Sequence, residues 1–226
     1  MKKEKILIIS DGIFPYSMGG SHRLIYELAK NINKKKYDVL CIVPEIDISS
    51  NFFLSQKKES NDFDIQQIQI KYKNKVFKFF SSFFIHFKKI DILSLNCDII
   101  NIHYLPALFS LRNSISNKKK IYYTFHGPWS EEFSLSILGR CENFHPAVSF
   151  LYKIFFKKLV KILLFRIEKY ALKNVSSFMC LSNYMKNKLA NDFQINKNQI
   201  KIINSGIDMK KFDIRINKKF RKEISH

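Results

Sequence analysis

The sequence predicts an α/β fold built on a doubly wound, mostly parallel sheet of about seven strands. Apolar runs of strand length recur along the chain, most of them are almost continuously apolar, and a longer helical or irregular segment follows each one. Strands that alternate with helices form parallel sheets, and continuous apolar runs suit strands that are covered on both faces. The predicted strands are residues 5–10, 37–43, 63–70, 98–103, 120–126, 177–182 and 200–206.

Two helices can be placed between these strands. Ser182 directly follows the sixth strand and is predicted to cap a helix that carries Met185 and Leu189. Another helix follows the first strand, because its apolar residues recur at the spacing of one helix face. The residues of this helix that we expect to face the core are Leu24, Ile25, Leu28, Ala29 and Ile32.

The 226 residues are 46% hydrophobic, which is the composition of a globular protein with one large domain. The first apolar run, residues 6–9, is too short for the apolar region of a signal peptide. Lysines interrupt every later apolar stretch before the roughly 20 residues that are needed to cross a bilayer. We therefore expect a protein that is soluble or bound peripherally to a membrane.

The positions of cysteine and histidine argue against a disulfide framework and a metal site. The four cysteines include no C-x-x-C pair and lie far apart in the sequence, which favours a reducing cytoplasm. No two of the six histidines lie four residues apart on a predicted helix. We therefore expect no metal site built by this chain.

The chain carries a formal net charge of +20. Such a charge favours nucleic acid, a membrane surface or a polyanionic substrate as a partner. The basic residues occur without a recognisable motif for reading bases, so nucleic acid is not expected. An A+T-rich genome, which favours codons for Lys, Asn, Ile and Phe, explains the charge equally well.

Gly19 and Gly20 lie between the first strand and the first helix. A glycine turn at this junction places backbone N–H groups and the positive end of a helix dipole at the carboxyl edge of the sheet, where ligand phosphates dock. The missing side chains would also let a diphosphate approach the backbone closely. A glycine pair in a loop is otherwise only a turn, so this interpretation depends on its context.

Five segments in a fixed order supply that context. They are PYSMGGSHRLIYELAKNINKKKYDVLCIV, DIINIHYLPA, YYTFHGPWSEE, IEKYALKNVSSFMCLSNYMKNKL and IKIINSGIDMKKF. Over residues 5–212 they resemble the N-terminal domain of the family-4 retaining glycosyltransferases, in which two Rossmann-like domains make up the GT-B fold. The resemblance departs where Lys36 and Tyr37 replace a Gly-His pair, and where Asn204, Ser205 and Gly206 replace Pro-Asn-Gly.

The resemblance implies that residues 1–212 form the Rossmann-like, acceptor-side domain and that residues 213–226 are a basic tail or the start of an interdomain linker. Family members carry a second Rossmann-like domain, which holds the nucleotide sugar and a Glu-x7-Glu pair. No two glutamates of this sequence are eight residues apart. We therefore expect that the C-terminal domain is absent and that the chain alone is inactive.

In the resembled family, a sugar passes from a nucleotide diphosphate to an acceptor hydroxyl with retained anomeric configuration, and neither a metal ion nor another cofactor is required. The resemblance makes Gly19 and Gly20 backbone neighbours of the donor diphosphate, and it makes His126 face the transferred sugar. It implies no side-chain nucleophile. The acceptor would be a glycan or a lipid-linked molecule in the synthesis of a cell-surface polysaccharide or glycolipid.

Four further residues are candidates for the acceptor side, and each also has a structural interpretation. They are Asp11, Tyr16, His103 and Trp129. For Trp129, the only tryptophan, a role as a loop anchor is slightly favoured. His126 could instead cap its turn through a ring hydrogen bond. Glu131 and Glu132 are expected to stabilise the start of the following helix rather than act as bases.

Two segments rich in Lys and Phe, residues 71–89 and 150–173, are candidates for contact with a membrane. On a helix that continues from Pro146, the arc without lysine is expected to face the sheet; it holds Tyr152, Phe156, Leu159, Val160, Leu163, Ile167 and Tyr170. The opposite arc mixes apolar and basic residues, which suits an anionic bilayer or a face buried against another domain or subunit. Its predicted membrane-contacting residues are Phe155, Lys158, Lys161, Ile162, Phe165 and Lys169.

The sequence thus favours the N-terminal half of a glycosyltransferase that is cytoplasmic, either soluble or peripheral at the inner face of the cell membrane. The alternative is a non-catalytic Rossmann-domain protein that is retained for binding a partner or a membrane. The donor sugar and the acceptor are not specified by the residues in this half, because acceptor loops vary freely on one fold.

Overall fold

The computed structural model describes residues 2–44, 64–68, 96–111, 120–141, 157–173 and 175–206. This part of the chain contains seven strands, and every one overlaps a predicted strand. They are β1 (Glu4–Ile9), β2 (Tyr37–Pro44), β3 (Asp64–Ile68), β4 (Ile99–Ile102), β5 (Lys120–Phe125), β6 (Ser177–Cys180) and β7 (Ile200–Ile202). The number and positions of the predicted strands are therefore confirmed.

Five α-helices and a short 3₁₀ turn (Lys197–Gln199) lie within the same ranges. The helices are α1 (Gly20–Asn31), α2 (Leu105–Leu111), α3 (Trp129–Cys141), α4 (Lys157–Leu172) and α5 (Asn183–Phe193). The predicted cap of α5 is present, because the Ser182 side chain accepts a hydrogen bond of 3.3 Å from the backbone N–H of Met185. Leu189 of this helix is buried.

All seven strands pair in parallel in the order β3-β2-β1-β4-β5-β6-β7. The order reverses between β1 and β4, because the chain winds outward from β1 to β3 and then returns to the other side of β1. In sheets of this kind, the crevice outside the carboxyl ends of the strands at the reversal is where ligands bind. Ile9 and Ile102 are register partners, so the residues that follow β1 and β4 meet at this crevice.

Helices cover both faces of the sheet. Connections between neighbouring parallel strands are right-handed, so reversing the winding direction moves the helices to the opposite face. Ile25, Tyr26 and Ala29 of α1 pack against Ile6 and Ile8 of β1 on one face. Helices α2, α4 and α5 pack with Leu7 and Ile9 on the other face. The predicted doubly wound, parallel architecture is confirmed.

The orientation of α1 differs in part from the prediction. Ile25 and Ala29 are buried as expected, but Tyr26 is buried in the place of Leu28, which is 39% exposed. Because α2, α4 and α5 lie on the opposite face, the α1 side of β4 to β6 carries no helix within the described ranges. A groove of about 900 Å³ lies there beside α1, and its apolar lining includes Leu24, Leu28, Met179, Leu181 and Ile203.

The predicted inner arc of α4 was wrong. Leu159, Leu163 and Tyr170 were expected to face the sheet, but they are 63%, 58% and 52% exposed. The buried residues are instead Leu164, Glu168, Ala171 and Leu172. A pattern of apolar residues cannot place an acidic side chain inward, and Glu168 lies inward because it binds backbone N–H groups of α3. Tyr152 and Phe156 lie outside the described residues.

Candidate functional site

The loop between β1 and α1 lies at the reversal of strand order. It folds tightly against the sheet, since Ile13 is fully buried and accepts a 2.9 Å hydrogen bond at its carbonyl from the N–H of Ser17. Tyr16, a predicted acceptor contact, is only 7% exposed and packs in the core beneath α1. The structure therefore places the Tyr16 ring among core side chains and leaves Asp11 in the exposed part of the loop.

The N-terminus of α1 lies at the end of this loop and has no side-chain cap. Gly19 is the capping residue, and the first turn contains no acidic residue. The first N–H groups of any helix lack partners within the helix, so those of Gly20 and Ser21 point out of α1 without a side-chain acceptor from the described residues. A Cβ built on Gly20 meets nothing within 4 Å. The backbone at Gly20 is therefore open on this side, and its predicted contact with a diphosphate stays a prediction.

A side chain at Gly19, unlike one at Gly20, would meet another residue, His22. A Cβ built there would lie 3.0 Å from Nδ1 of His22, and one built on Gly12 would lie 2.8 Å from the same ring and collide with the Ser17 hydroxyl. The backbone of Gly19 has a φ of 168°, an extended conformation that any residue can adopt. Glycine is therefore needed at this position for space and not for its backbone conformation. Gly12 and Gly19 make room for the His22 ring, whereas Gly20 leaves open space.

His22 is held between the two ends of the loop. Its Nδ1 lies 2.9 Å from the Ser17 hydroxyl, and its Nε2 lies 3.1 Å from the Asp11 carboxylate. The Asp11 side chain is about half exposed, and the protein around its other half opposes ionisation through partial desolvation. The hydrogen bond and charge of His22 outweigh this effect and hold the pKa of Asp11 below its usual value. The predicted acceptor residue Asp11 is thus bound by a histidine that the sequence analysis did not single out.

A pair of histidines occupies the ends of β4 and β5. Nδ1 of His103 and Nε2 of His126 are 3.0 Å apart, and the His103 backbone N–H donates to the Ile9 carbonyl at 2.8 Å. Burial, reinforced by His126, holds the pKa of His103 well below its usual value. Burial also lowers the pKa of His126, although Asp11 opposes this in part. Both rings are therefore neutral near pH 7, and one ring proton lies between them.

The start of α3, next to His126, is closed by an acidic side chain. The Glu168 carboxylate accepts hydrogen bonds of 2.9 Å from the backbone N–H groups of Trp129 and Ser130. Burial raises the pKa of Glu168, and these bonds offset part of the increase. The Trp129 ring stacks on Phe133 at 5.0 Å and packs against the core. This arrangement agrees with the anchor interpretation of Trp129.

Glu131 and Glu132 lie in the first turn of α3, as expected. Glu131 accepts a 3.0 Å bond from Lys188 and lies 3.5 Å from Lys161; the hydrogen bond from Lys188 is the main reason that its pKa is lowered. Glu132 differs, since burial and then the nearby Asp11 raise its pKa. The ion pairs of Glu131 tie α3 to α4 and α5.

The fold thus brings Asp11, His103 and His126 together with the start of α1 at one edge of the sheet. Trp129 and Tyr16 lie nearby but pack into the core. Sequence reasoning missed two residues here, His22 and Glu168. His22 lies two residues after the glycine pair, and that spacing is the signal in the sequence that points to it. No sequence pattern marks Glu168, because its partner on α3 is 38 residues away.

The predicted membrane-contacting residues of α4 divide into three groups. Lys158, Lys161 and Ile162 are exposed as expected. Phe165 was wrongly placed outward, because it packs against the core and stacks on Phe193 at 5.0 Å. Lys169 is partly buried and donates a 2.7 Å hydrogen bond to the Gln194 side chain. Phe155 and residues 71–89 lie outside the described residues.

The helices and ionisable side chains of the described ranges bear on contact with membranes and metals. None of the helices there is both long and apolar enough to cross a bilayer. Within the same ranges, no three side chains of His, Cys, Asp or Glu are grouped so that they could hold a metal ion. Cys41, Cys97 and Cys180 are buried free thiols, and burial raises the pKa of Cys41 to about 12.

Solved structures that share the fold of this chain include proteins from Anabaena and from Rickettsia africae. One is Anabaena Alr3699/HepE in complex with UDP, which is 12% identical in sequence and has a TM-score of 0.57. The match covers 99% of this chain and 50% of Alr3699/HepE. A glycosyltransferase from Rickettsia africae is 16% identical, with a TM-score of 0.54, and the match covers 98% of this chain and 50% of that protein. This chain therefore spans about half the length of the structures that it matches.

Comparison with curated protein sequences finds no match. The model of the family described as Glycosyltransferase Family 4 matches residues 18–211. This match begins at the loop before α1 and extends beyond β7, so it includes most of the sheet and the edge that carries Gly20, His103 and His126. The chain belongs to Glycosyltransferase Family 4.

Proposed function

We propose that this chain supplies the acceptor-side domain of a retaining glycosyltransferase, which transfers a sugar from a nucleotide diphosphate to a glycan or a lipid-linked acceptor. The observation that carries this proposal is the start of α1, where uncapped N–H groups and the open backbone of Gly20 lie at the reversal of strand order. Alr3699/HepE, which shares the fold, was solved with UDP and with UDP and glucose.

Negative charge builds up on the diphosphate as its bond to the sugar breaks. The N–H groups and dipole of α1 stabilise this charge, and because they are already oriented they act most strongly in the transition state. His126 contacts the transferred sugar from the end of β5. The acceptor hydroxyl forms the new glycosidic bond at the sugar carbon that the diphosphate leaves, and its proton passes to the departing diphosphate oxygen. No side-chain nucleophile, metal ion or cofactor is assigned.

A transfer assay tests this function. The 226-residue chain alone is expected to show little or no transfer from a panel of nucleotide sugars, because the family resemblance places most of the donor site in a second domain. Joined to a nucleotide-sugar domain that restores transfer, the chain should lose activity when Gly20→Val places a branched side chain against the diphosphate. Robust transfer by the chain alone would contradict the proposed division of the site.

A matched variant separates ligand contact from helix formation. Asn183 is the first residue of α5, as Gly20 is of α1, so Asn183→Val tests the effect of the same side chain at another helix start. It should leave transfer unchanged. If Gly20→Val also transfers normally while its circular dichroism is unchanged, the glycine only makes a turn and the assignment of the diphosphate site is wrong.

A second candidate function, contact with the inner face of the cell membrane, is favoured by the exposed side of α4. This face, defined by the apolar side chains Leu159, Ile162 and Leu163 and the exposed cations Lys158 and Lys161, replaces the one predicted from the sequence. Apolar side chains beside lysines suit an anionic bilayer, in which chains are buried and ammonium groups meet headgroups. Contact of this face with the membrane would bring a lipid-linked acceptor close to the enzyme during polysaccharide or glycolipid synthesis.

Sedimentation with lipid vesicles tests the membrane face. Binding to anionic vesicles should exceed binding to neutral ones and should weaken as salt rises, since each lysine contributes on the order of 1 kcal/mol. Changing Leu159, Ile162 and Leu163 to Ser should reduce binding even at low salt. Changing Met18 and Tyr184, which are equally exposed elsewhere, to Ser is the control. If the wild-type chain does not bind, α4 is not a membrane face.

A further inference from the structure

A buried ring nitrogen marks the histidine pair at the ends of β4 and β5. Nε2 of His103 is buried and forms no hydrogen bond with the residues that the structure describes, and the whole residue is only 7% exposed. Nδ1 of the same ring lies 3.0 Å from Nε2 of His126. From this arrangement we infer that His103 is a positioning residue, which fixes the ring proton of His126 on Nδ1.

Two neutral arrangements are compatible with the contact. In the first, Nδ1–H of His103 donates to Nε2 of His126, so His103 Nε2 is bare and His126 carries its proton on Nδ1. In the second, Nε2–H of His126 donates to Nδ1 of His103, so the buried His103 Nε2 carries a proton and His126 Nδ1 is bare. The hydrogen bond is present in both, and the arrangements differ only at the two outer nitrogens.

The outer nitrogen of His103 decides between them. In the second arrangement an N–H donor would be buried without an acceptor, and buried N–H groups without acceptors are rarer in proteins than buried acceptors without donors. The outer nitrogen of His126 does not oppose this choice, because that ring is partly exposed and its Nδ1 can exchange bonds with water in either state. The first arrangement is therefore the more stable one.

A positively charged form of the histidine pair is not populated near pH 7. Adding a proton would place a cation in the buried pair, and burial is the main reason that the pKa values of both rings are lowered. The pair therefore remains neutral near pH 7, with one proton in the shared hydrogen bond and one on His126 Nδ1.

The consequence for the site is a fixed hydrogen-bond donor. Nδ1–H of His126 can donate to an oxygen of the sugar or of the diphosphate, whereas a bare Nδ1 could only accept. This use of the donor rests on the proposed function. The tautomer itself does not, because it follows from contacts within the domain, and it can be measured in the chain without a ligand.

Long-range ¹H–¹⁵N correlation spectra of the full chain, labelled with ¹⁵N in histidine, distinguish the two arrangements near pH 7.5. We expect His126 to be protonated at Nδ1 and His103 to be protonated at Nδ1 with Nε2 bare. His103→Phe keeps an aromatic ring but removes the donor, so the ratio of Nδ1–H to Nε2–H in His126 should fall and invert. His103→Asn places an amide donor where Nδ1 was and should preserve the wild-type ratio.

Wild-type His126 protonated at Nε2 would overturn the inference, as would an unchanged His126 tautomer in a folded His103→Phe variant. If the Phe variant loses its circular dichroism, His103→Leu removes the same donor with a smaller side chain and gives the same reading. Failure of the transfer assay with these spectra as expected would instead count against the proposed function alone.

Discussion

The starts of α1 and α3 both have backbone N–H groups that need an acceptor, but among the described residues only the start of α3 receives one from a protein side chain. Both helices begin at the carboxyl edge of the sheet, and each has N–H groups without partners in its first turn. At α3, the buried Glu168 carboxylate accepts from the N–H groups of Trp129 and Ser130. At α1, the capping residue is Gly19, the first turn contains no acid, and Gly20 faces open space.

This difference separates a structural anion site from one for a ligand. A helix start attracts negative charge whether the charge belongs to the protein or to a ligand. Glu168 occupies the start of α3 permanently and joins α3 to α4, so it contributes to stability. The start of α1 has no acid in its first turn, so it is the start that we propose for binding a ligand. Changing the charge at each start should therefore have opposite consequences.

The largest expected effect is the loss of the carboxylate at α3. Glu168→Ala leaves two N–H groups without an acceptor in a buried position and should reduce the free energy of unfolding by about 3 kcal/mol. Glu168→Gln retains one acceptor oxygen and should lose roughly half as much. Urea denaturation of the three proteins measures these differences.

Arg166→Ala, on the exposed side of the same helix, is the control and should change stability by less than about 0.5 kcal/mol. If Glu168→Ala is as stable as this control, the carboxylate does not hold the start of α3.

Adding an acid to α1 should have a smaller effect on stability and a clear effect on binding. Ser21→Asp places a negative charge in the first turn, where it should stabilise the protein by about 0.5 kcal/mol. The same charge should repel a diphosphate. Titration with inorganic diphosphate should shift the backbone amide signals of Gly20 and Ser21 in the wild-type chain, but not those at the start of α3.

In Ser21→Asp these shifts should be lost, whereas Ser21→Asn, which adds no charge, should retain them. Equal diphosphate shifts at the starts of α1 and α3 would show that the two helix starts do not differ in the way described.

The smallest expected effect concerns pH. His22 holds the pKa of Asp11 below its usual value, so the folded protein binds this proton less tightly than the unfolded chain does. The contribution of Asp11 to stability is therefore present above its unfolded pKa, near pH 4, and is lost as pH falls through the lower folded value. Asp11→Asn should flatten this part of the stability curve, as measured by urea denaturation between pH 5 and pH 3. An unchanged curve would mean that Asp11 and His22 do not interact in solution.

The strands and the winding of the sheet could be predicted from the sequence because each buried parallel strand has a local sequence pattern. Each is a short apolar run, and alternation with helices is sufficient to predict parallel pairing. The same reasoning located Gly20 and His126 correctly at the carboxyl edge, since residues that follow strands must lie there. These predictions depend only on chain order and on the period of apolar residues.

The burial of helix residues was predicted wrongly where it depends on contacts that are distant in the sequence. Periodicity placed α4 with its lysine-free arc inward, but the inward position of Glu168 rotates the helix and exposes Leu159 and Leu163. In α1, Leu28 was expected inside because no local pattern shows which part of the sheet a helix covers. The contact between position 19 and His22 was not predicted, because a sequence does not show which atom a missing Cβ would meet.

The space that Gly12 and Gly19 leave for the His22 ring implies a constraint on how this loop can change over time. A Cβ at either glycine would meet the imidazole, and the ring in turn binds Ser17 and Asp11. Positions 12, 19 and 22 should therefore covary among related sequences. Where a small residue replaces His22, position 19 is free to gain a side chain, whereas position 20 should remain glycine as long as the helix start binds its ligand.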